Sequence, residues 1–374
     1  MPTDRTRTTA RGRRTGIDRF FLYSTAALTI AGFVIFLSAS LGLLTQAGAT
    51  LGSVALKQAV SLVLGMAAFF LFSRLPYAWL RRSALFILIG AIGVNLLLFI
   101  PALTLHYNGA TRWIDLGPLS FQPSEFLKIA SIIYFAAWVH FAKDRIKSMK
   151  FGLLPYVVIM GILGALLLVQ SDTDTLVIVS LTGIVMFVVA GMPWRHLALG
   201  LVLLGIVVGG VIAFRPYALQ RMKVYIDPAA ASPDARYQID QSLIAIGSGG
   251  VTGRGFGQSI QKFGYLPQPT DDSIFAVAAE EFGFLGGVVL LGLYCSFAAS
   301  ALRVATRSTD IFGSMIAVGI AMLVVSESFL NIAAMLGLMP VSGIPLLFVS
   351  HGGTALIITL AAAGIVASVS KNRK

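Results

Sequence analysis

The sequence predicts an all-α polytopic membrane protein of about ten transmembrane helices. Three observations carry that prediction. Hydrophobic residues make up 57% of the 374 and charged residues only 12%, with a mean hydropathy of +0.85; a soluble domain has about 45–50% and ~25%. Ten apolar runs each approach the ~20 residues that a helix needs to cross the hydrocarbon. Lys and Arg gather in alternate connections, as the positive-inside rule requires.

In order, the runs are 20–44, 54–73, 83–103, 124–142, 151–169, 174–192, 196–214, 273–300, 311–336 and 350–370. Arg5, Arg7, Arg11, Arg13, Arg14 and Arg19 precede the first, like the start of a signal peptide. That run exceeds the ~7–15 residues of a signal core, so it reads as a retained span. Residues 1–19 then form a basic cytoplasmic tail, 20–370 a single membrane domain, and 371–374 a short cytoplasmic tail. With the first tail inside, most of the 28 Lys and Arg fall on the inner side and both termini are cytoplasmic. The net charge of +12 is thereby spread along an inner membrane face, which points to membrane lipids as partners and to no nucleic acid. The single Cys295 excludes an intrachain disulfide. No internal repeat of the inverted-transporter kind is visible.

Most of the 16 Asp and Glu fall on the outer side. Acids contribute little to topology, so the skew indicates polar work at the outer face. Three outer segments interrupt the apolar pattern there. They are 105–122, the large extracytoplasmic loop 215–271 between the seventh and eighth spans, and the Pro- and Gly-broken 337–353. Irregular backbone at membrane depth survives only where protein buries it or water lines it, so these segments are expected to wall one outward cavity. The large loop reads as polar, Gly-rich and irregular.

Several residues carry chemistry. Pro123 and Glu125 suit the first turn of the fourth span. Lys128, on nearly the same face, is either a snorkelling lysine paired with Glu125 or a cation for an anionic headgroup. Ser171-Asp172-Thr173-Asp174 reads as a turn with Thr173 or Asp174 as helix cap. Glu327, deep in the ninth span, is expected to pair inside the bundle. Gly247–Gly257 offers a G-x-G-x-x-G pattern without a preceding strand, which argues for a turn-rich loop over a dinucleotide site; Arg254 within it could still touch phosphate. No His or Cys spacing marks a metal site. At the start of the eighth span stand Asp271 and Asp272. Treated as helical they diverge by about 100°, so one of them is expected to face the cavity. Glu280 and Glu281 lie about 80° and 180° around from Asp272, so they are expected to pair elsewhere. The residues alone leave open whether the two Asp stabilise a helix dipole or act in catalysis.

The longer motifs resemble those of the SEDS family of peptidoglycan glycosyltransferases, over nearly the whole chain. Gly109–Gly117 with Phe121–Lys128 is similar to the GARRWI…FQPSE..K block of that family. Gln241–Gly250, Leu266–Phe284 and Asn331–Gly353 are similar to QSLIAIGSGG, LPE…D.IFAV..EELGF and NI…GL.P..GIPLPFISYGG. The wording of Gly257–Pro267 lies nearer the division-associated FtsW branch than the RodA branch. The resemblance implies polymerisation of lipid II, an undecaprenyl-pyrophosphate-linked disaccharide peptide, at the outer face of the bacterial cytoplasmic membrane. It aligns the catalytic Asp of the family with Asp272. It implies Arg112, Lys128, Glu125, Gln241 and Ser350 as substrate-binding positions. It further implies a divalent ion, magnesium or manganese, with ligands unassigned, and a class B penicillin-binding protein transpeptidase as partner. The chain departs from the family pattern at Ser171, Asp174, Gln268, Leu347 and His351. Two other functions stay open: a lipid II flippase, with Glu280, Glu281, Glu327 and Lys128 lining a headgroup path, and a scaffold that only recruits the transpeptidase.

Overall fold

The computed structural model describes residues 16–45, 51–107, 110–115, 120–228 and 232–371; most of both predicted tails lies outside them. All ten apolar runs are helical. They form α1 (Arg19–Ser40), α2 (Leu51–Arg74), α4 (Ala84–Leu96), α5 (Pro123–Ala142), α6 (Leu153–Val169), α7 (Thr173–Val189), α8 (Trp194–Phe214), α11 (Ile274–Arg307), α12 (Ile311–Met335) and α13 (Gly353–Ser370). Seven are long and apolar enough to cross a membrane, and the helices at 84–99, 153–169 and 173–189 are shorter apolar ones. The remaining helices are α3 (Tyr77–Arg82), α9 (Pro216–Ile226) and α10 (Pro233–Gly249).

The helix starts follow local chemistry. Asp18 caps α1 by accepting from the amides of Phe20 and Phe21 at 3.0 and 3.2 Å, and Asp310 caps α12. Pro123, Pro216 and Pro233 open α5, α9 and α10, where a missing N–H costs nothing. Packing centres on α12, which lies against α11, α5 and α7, while α13 runs along α2 and α1 along α11. By contrast α8 buries only Gly200.

The fold class is all-α, with one small antiparallel sheet in the first outer segment: β1 (Thr104–Tyr107), β2 (Ala110–Asp115) and β3 (Ser120–Phe121), with a bulge between Leu105 and His106. Two expectations need correction. The 215–271 loop is not irregular throughout: it carries α9 and α10, whose helical phase the Gly- and Pro-rich surroundings disguise. The eighth span is not one continuous helix. Gly283 breaks α11 with φ 65° and ψ −165°, a conformation that glycine adopts at little cost.

That break is filled by the loop after α10. The amides of Arg254 and Gly255 donate to the carbonyls of Glu280 and Glu281 at 3.0 and 2.9 Å; those of Phe284 and Leu285 donate to Gly250 and Val251 at 2.9 and 3.0 Å. Backbone groups freed by the break therefore keep partners, as burial demands. A side chain at Gly283 would drive into the backbone of Gly253.

Segment 337–352 has no regular structure, yet Ile344, Leu346, Leu347, Phe348 and Val349 are buried. Asn331 Nδ2 donates to the Ile344 carbonyl at 2.8 Å, and the Tyr294 hydroxyl donates to that of Leu347. Gly32 on α1 lets Phe348 approach so closely that a Cβ would strike its carbonyl. Protein thus supplies the burial that irregular backbone needs at this depth.

Candidate functional site

The three irregular outer segments wall one cavity of about 1170 Å³. Arg112 and Trp113 on β2 contribute from the first, Arg215 to Asp272 from the second, and Gly337 to Gly353 from the third. The turn Gln268–Ser273 brings the two acids to the wall. Gln268 takes φ 49°, and its carbonyl accepts from the amides of Asp271 and Ser273 at 3.1 and 3.3 Å. Helix α11 begins only at Ile274, so both acids precede it and helical phase does not separate them. Both Asp271 and Asp272 line the cavity, each half-buried, which corrects the expectation that one would turn away.

Their supports differ. Gln238 Nε2, from α10, donates to Asp272 Oδ2 at 3.3 Å and to Ser273 Oγ at 3.0 Å. Asn331 Nδ2 donates to the Asp272 carbonyl at 2.7 Å. Burial pushes the Asp272 carboxyl up to about 6, a rise that Gln238, its own backbone amide, Arg221 and Ser273 oppose. Burial and then the neighbouring Asp272 charge push Asp271 up to about 7. Among the described residues no side-chain hydrogen bond restrains Asp271 in the same way. Asp272 is therefore the carboxylate held in place.

Cations face the same space. Arg112 donates to the Ser171 carbonyl, and its Nη1 stands 3.8 Å from Asp172 Oδ1. Asp172 also caps α7 through the Thr175 amide at 3.4 Å, where Thr173 or Asp174 was expected. Arg221 Nη1 on α9 lies 3.7 Å from Asp174 Oδ2, and its charge reaches Asp272. Arg215 lines the wall as well.

Four of the six site positions suggested by the resemblance have other places. Glu125 and Lys128 are sealed in the bundle at 3% and 2% exposure. Lys128 Nζ donates to Glu125 Oε1 at 2.9 Å and to both Glu327 oxygens at 2.7 Å, so the pairing reading describes it and a headgroup contact does not. Gln241 does not line the cavity; Gln238, nearly one turn earlier on α10, does. The Ser350 hydroxyl braces the turn, donating to the Asp271 carbonyl and accepting from the Leu346 amide at 2.8 Å. Arg221, Arg215 and Gln238 join the site through α9 and α10, in a segment whose sequence resembles an irregular loop. A period of 3.6 starting at Pro216 and Pro233 would have phased them.

Glu280 and Glu281 pair elsewhere, as their phase predicts. Glu280 accepts from Ser259 Oγ at 2.6 Å and from the Ile260 amide at 3.1 Å. Glu281 accepts from Lys262 Nζ at 2.7 Å. Arg254 Nε stands 3.6 Å from Glu280. With Glu327 holding Lys128, none of the acids suggested for a headgroup path lines the cavity. Among the described residues no three His, Cys, Asp or Glu gather as a metal site.

Comparison with known proteins agrees with this architecture. The family described as cell cycle protein, FtsW/RodA/SpoVE, matches residues 18–374. A probable peptidoglycan glycosyltransferase FtsW of Geobacter sulfurreducens is 36% identical over 358 residues, 96% of each chain. Stage V sporulation protein E of Bacillus subtilis is 36% identical over 309 residues, 82% of this chain and 84% of that one. A chain of a peptidoglycan synthase complex superposes with a TM-score of 0.79 at 28% identity, covering 96% of this chain and 98% of that one. The rod shape determining protein RodA of Thermus thermophilus superposes with a TM-score of 0.68 at 28% identity, covering 96% and 97%.

Proposed function

The chain belongs to the FtsW/RodA/SpoVE family, and from that premise we propose that it is a multi-pass glycosyltransferase that polymerises lipid II at the outer face of the bacterial cytoplasmic membrane. The observation that carries this reading is the placement of Asp272, oriented by Gln238, in one cavity with Arg112, Arg215 and Arg221.

The chemistry follows from that placement. The acceptor presents the 4-hydroxyl of its GlcNAc to the anomeric carbon of a MurNAc carried on undecaprenyl pyrophosphate. Asp272 takes the hydroxyl proton as the new glycosidic bond forms. The bond to pyrophosphate breaks on the opposite face of the sugar, which inverts the anomeric centre. Arg112 and Arg221 meet the charge gathering on the leaving pyrophosphate, the preorganised stabilisation that such sites rely on. Asp271 contributes negative charge beside the base and takes no proton in this scheme.

A divalent ion fits only in part. Asp271 and Asp272 are two hard oxygen donors, and no third acid or histidine completes a protein cage among the described residues. A magnesium or manganese ion would need pyrophosphate oxygens and water to fill its shell. It would neutralise charge on that group, and no step above depends on it. The likeness to a chain of a peptidoglycan synthase complex supports a crosslinking partner, which we take to be a class B penicillin-binding protein transpeptidase.

The test is glycan-strand formation by purified protein from lipid II with magnesium or manganese, with and without that partner. Asp272→Ala should lose about 10²–10⁴-fold in rate while keeping its fold and its partner. Asp271→Ala should retain most activity; if it is equally dead, the assignment of the base to Asp272 fails. Wild-type strand formation by Asp272→Ala would sink the mechanism.

A further inference from the structure

A second cavity, of about 580 Å³, lies at the opposite end of the molecule, where α1 begins and α11 ends. The positive-inside bias puts this end at the cytoplasmic surface. Its walls are Gly16 to Phe20 together with Arg303 and Arg307. Three arginines therefore face one acid, Asp18.

That acid is largely committed. Its Oδ1 caps α1, and its backbone amide donates to Ser370 Oγ at 3.0 Å, tying the cavity floor to the end of α13. Arg307 Nη1 approaches Asp18 Oδ2 only to 4.0 Å. Arg303 lies over the Phe20 ring at 6.0 Å from its centroid, a cation–π arrangement that holds the guanidinium at the rim. Arg19, Arg303 and Phe20 are exposed. Among the described residues the recess carries a surplus of positive charge, strengthened by the positive end of the α1 dipole.

Its surroundings are apolar. Phe20 and Tyr23 on α1 and Leu302 on α11 are 41%, 66% and 44% exposed. The two helices are clamped below the cavity, where Ser24 Oγ and Ser300 Oγ share a hydrogen bond of 2.8 Å. A positively charged recess thus sits beside a strip of exposed apolar helix, at the end that the positive-inside bias places on the cytoplasmic side. A soluble acidic partner would have no use for that strip, whereas a lipid uses both parts.

We propose that this recess binds the phosphodiester headgroup of an anionic phospholipid of the inner leaflet. Arg303, Arg307 and Arg19 supply the cations, and the acyl chains lie along α1 and α11. Bound there, the lipid links the first helix of the bundle to the inner end of α11, whose outer end begins two residues after Asp272.

The test uses the full chain in detergent, with lipid retention read by native mass spectrometry and thermal protection read by fluorescence. Phosphatidylglycerol should be retained and should protect, whereas phosphatidylcholine and soluble glycerol 3-phosphate should not. Arg303→Gln/Arg307→Gln should weaken phosphatidylglycerol binding about thirtyfold, from roughly fivefold for each basic residue at an anionic surface. Arg303→Lys/Arg307→Lys, which keeps the charges, should retain most binding and shows that loss in the Gln pair is not misfolding. Arg195→Gln, on the same side at the start of α8, should bind as wild type. Unchanged retention by the Gln pair, equal loss in Arg195→Gln, or equal protection by glycerol 3-phosphate would overturn the proposal. Lipid II polymerisation by wild-type protein is measured in parallel, so failure of this site leaves the outer-face reading to its own assay.

Discussion

Gln238 Nε2 lies 3.3 Å from Asp272 Oδ2 and 3.0 Å from Ser273 Oγ, so one amide on α10 orients the acid of the turn before α11. A neutral donor favours the charged carboxylate over the protonated acid. Polymerisation should therefore rise with pH through about 6, where Asp272 loses its proton. Gln238→Leu removes the donor and should move that rise upward by up to about one pH unit, since a hydrogen bond to a charged acceptor is worth roughly 1.5 kcal/mol. A pH profile of kcat/KM for both proteins checks this; an unshifted rise would mean that Gln238 only packs.

The same two acids make stability depend on pH. Their folded values of about 6 and about 7 stand above the ordinary ~4 of an unfolded Asp. Between roughly pH 4 and 7 the folded state holds more protons than the unfolded one, so stability falls as pH rises through that window. Asp272→Asn and Asp271→Asn have nothing to ionise there. Both should melt higher than wild type at pH 8 and alongside it at pH 4, as thermal scans at the two pH values would show. Equal melting at pH 8 would mean that water reaching the half-buried carboxylates cancels the burial effect.

Much of this was legible in the sequence because a membrane imposes length and charge rules that hold residue by residue. All ten spans and the three cavity walls follow from those rules. Motif order singles out Asp272 as the proposed base, whereas chemistry alone leaves Asp271 and Asp272 equivalent. Helical phase was then applied to residues that the structure places in a turn. Of the two expected cations, Arg112 lines the cavity and Lys128 does not, for a different reason. Lys128 sits at a motif position, but its partner Glu327 lies 199 residues later, and no local pattern brings two such distant side chains within 2.7 Å. Arg221 and Gln238 lie on short amphipathic helices, α9 and α10, whose low overall hydrophobicity and Gly- and Pro-rich surroundings resemble a loop.

The Lys128 cluster should behave as a structural unit. One ammonium serves Glu125 and Glu327, and all three are buried. Removing it alone strands two acids, a change that typically costs about 3–5 kcal/mol. Lys128→Met should therefore lose folded, monodisperse protein on size-exclusion chromatography. Adding Glu125→Gln and Glu327→Gln should restore it, because no unpaired charge is left behind. Folded, wild-type-like yield from Lys128→Met alone would show that the triad carries no such load.

The pair Arg221–Asp174 bears on substrate affinity. Asp174 is one of the positions at which the chain departs from the pattern it resembles, and its carboxylate is 3.7 Å from a guanidinium that also influences Asp272. A pyrophosphate approaching Arg221 must compete with that carboxylate. The pair is about one quarter exposed on each side, so its attraction belongs to the range of ~0.2–1 kcal/mol. Asp174→Gly should accordingly raise kcat/KM for lipid II by up to about fivefold, since the guanidinium no longer divides its charge between that carboxylate and the donor pyrophosphate. Arg221→Gln should lower kcat/KM, and adding Asp174→Gly to it should change little further. A lowered kcat/KM in Asp174→Gly would show instead that the carboxylate positions Arg221 for the substrate rather than competing with it.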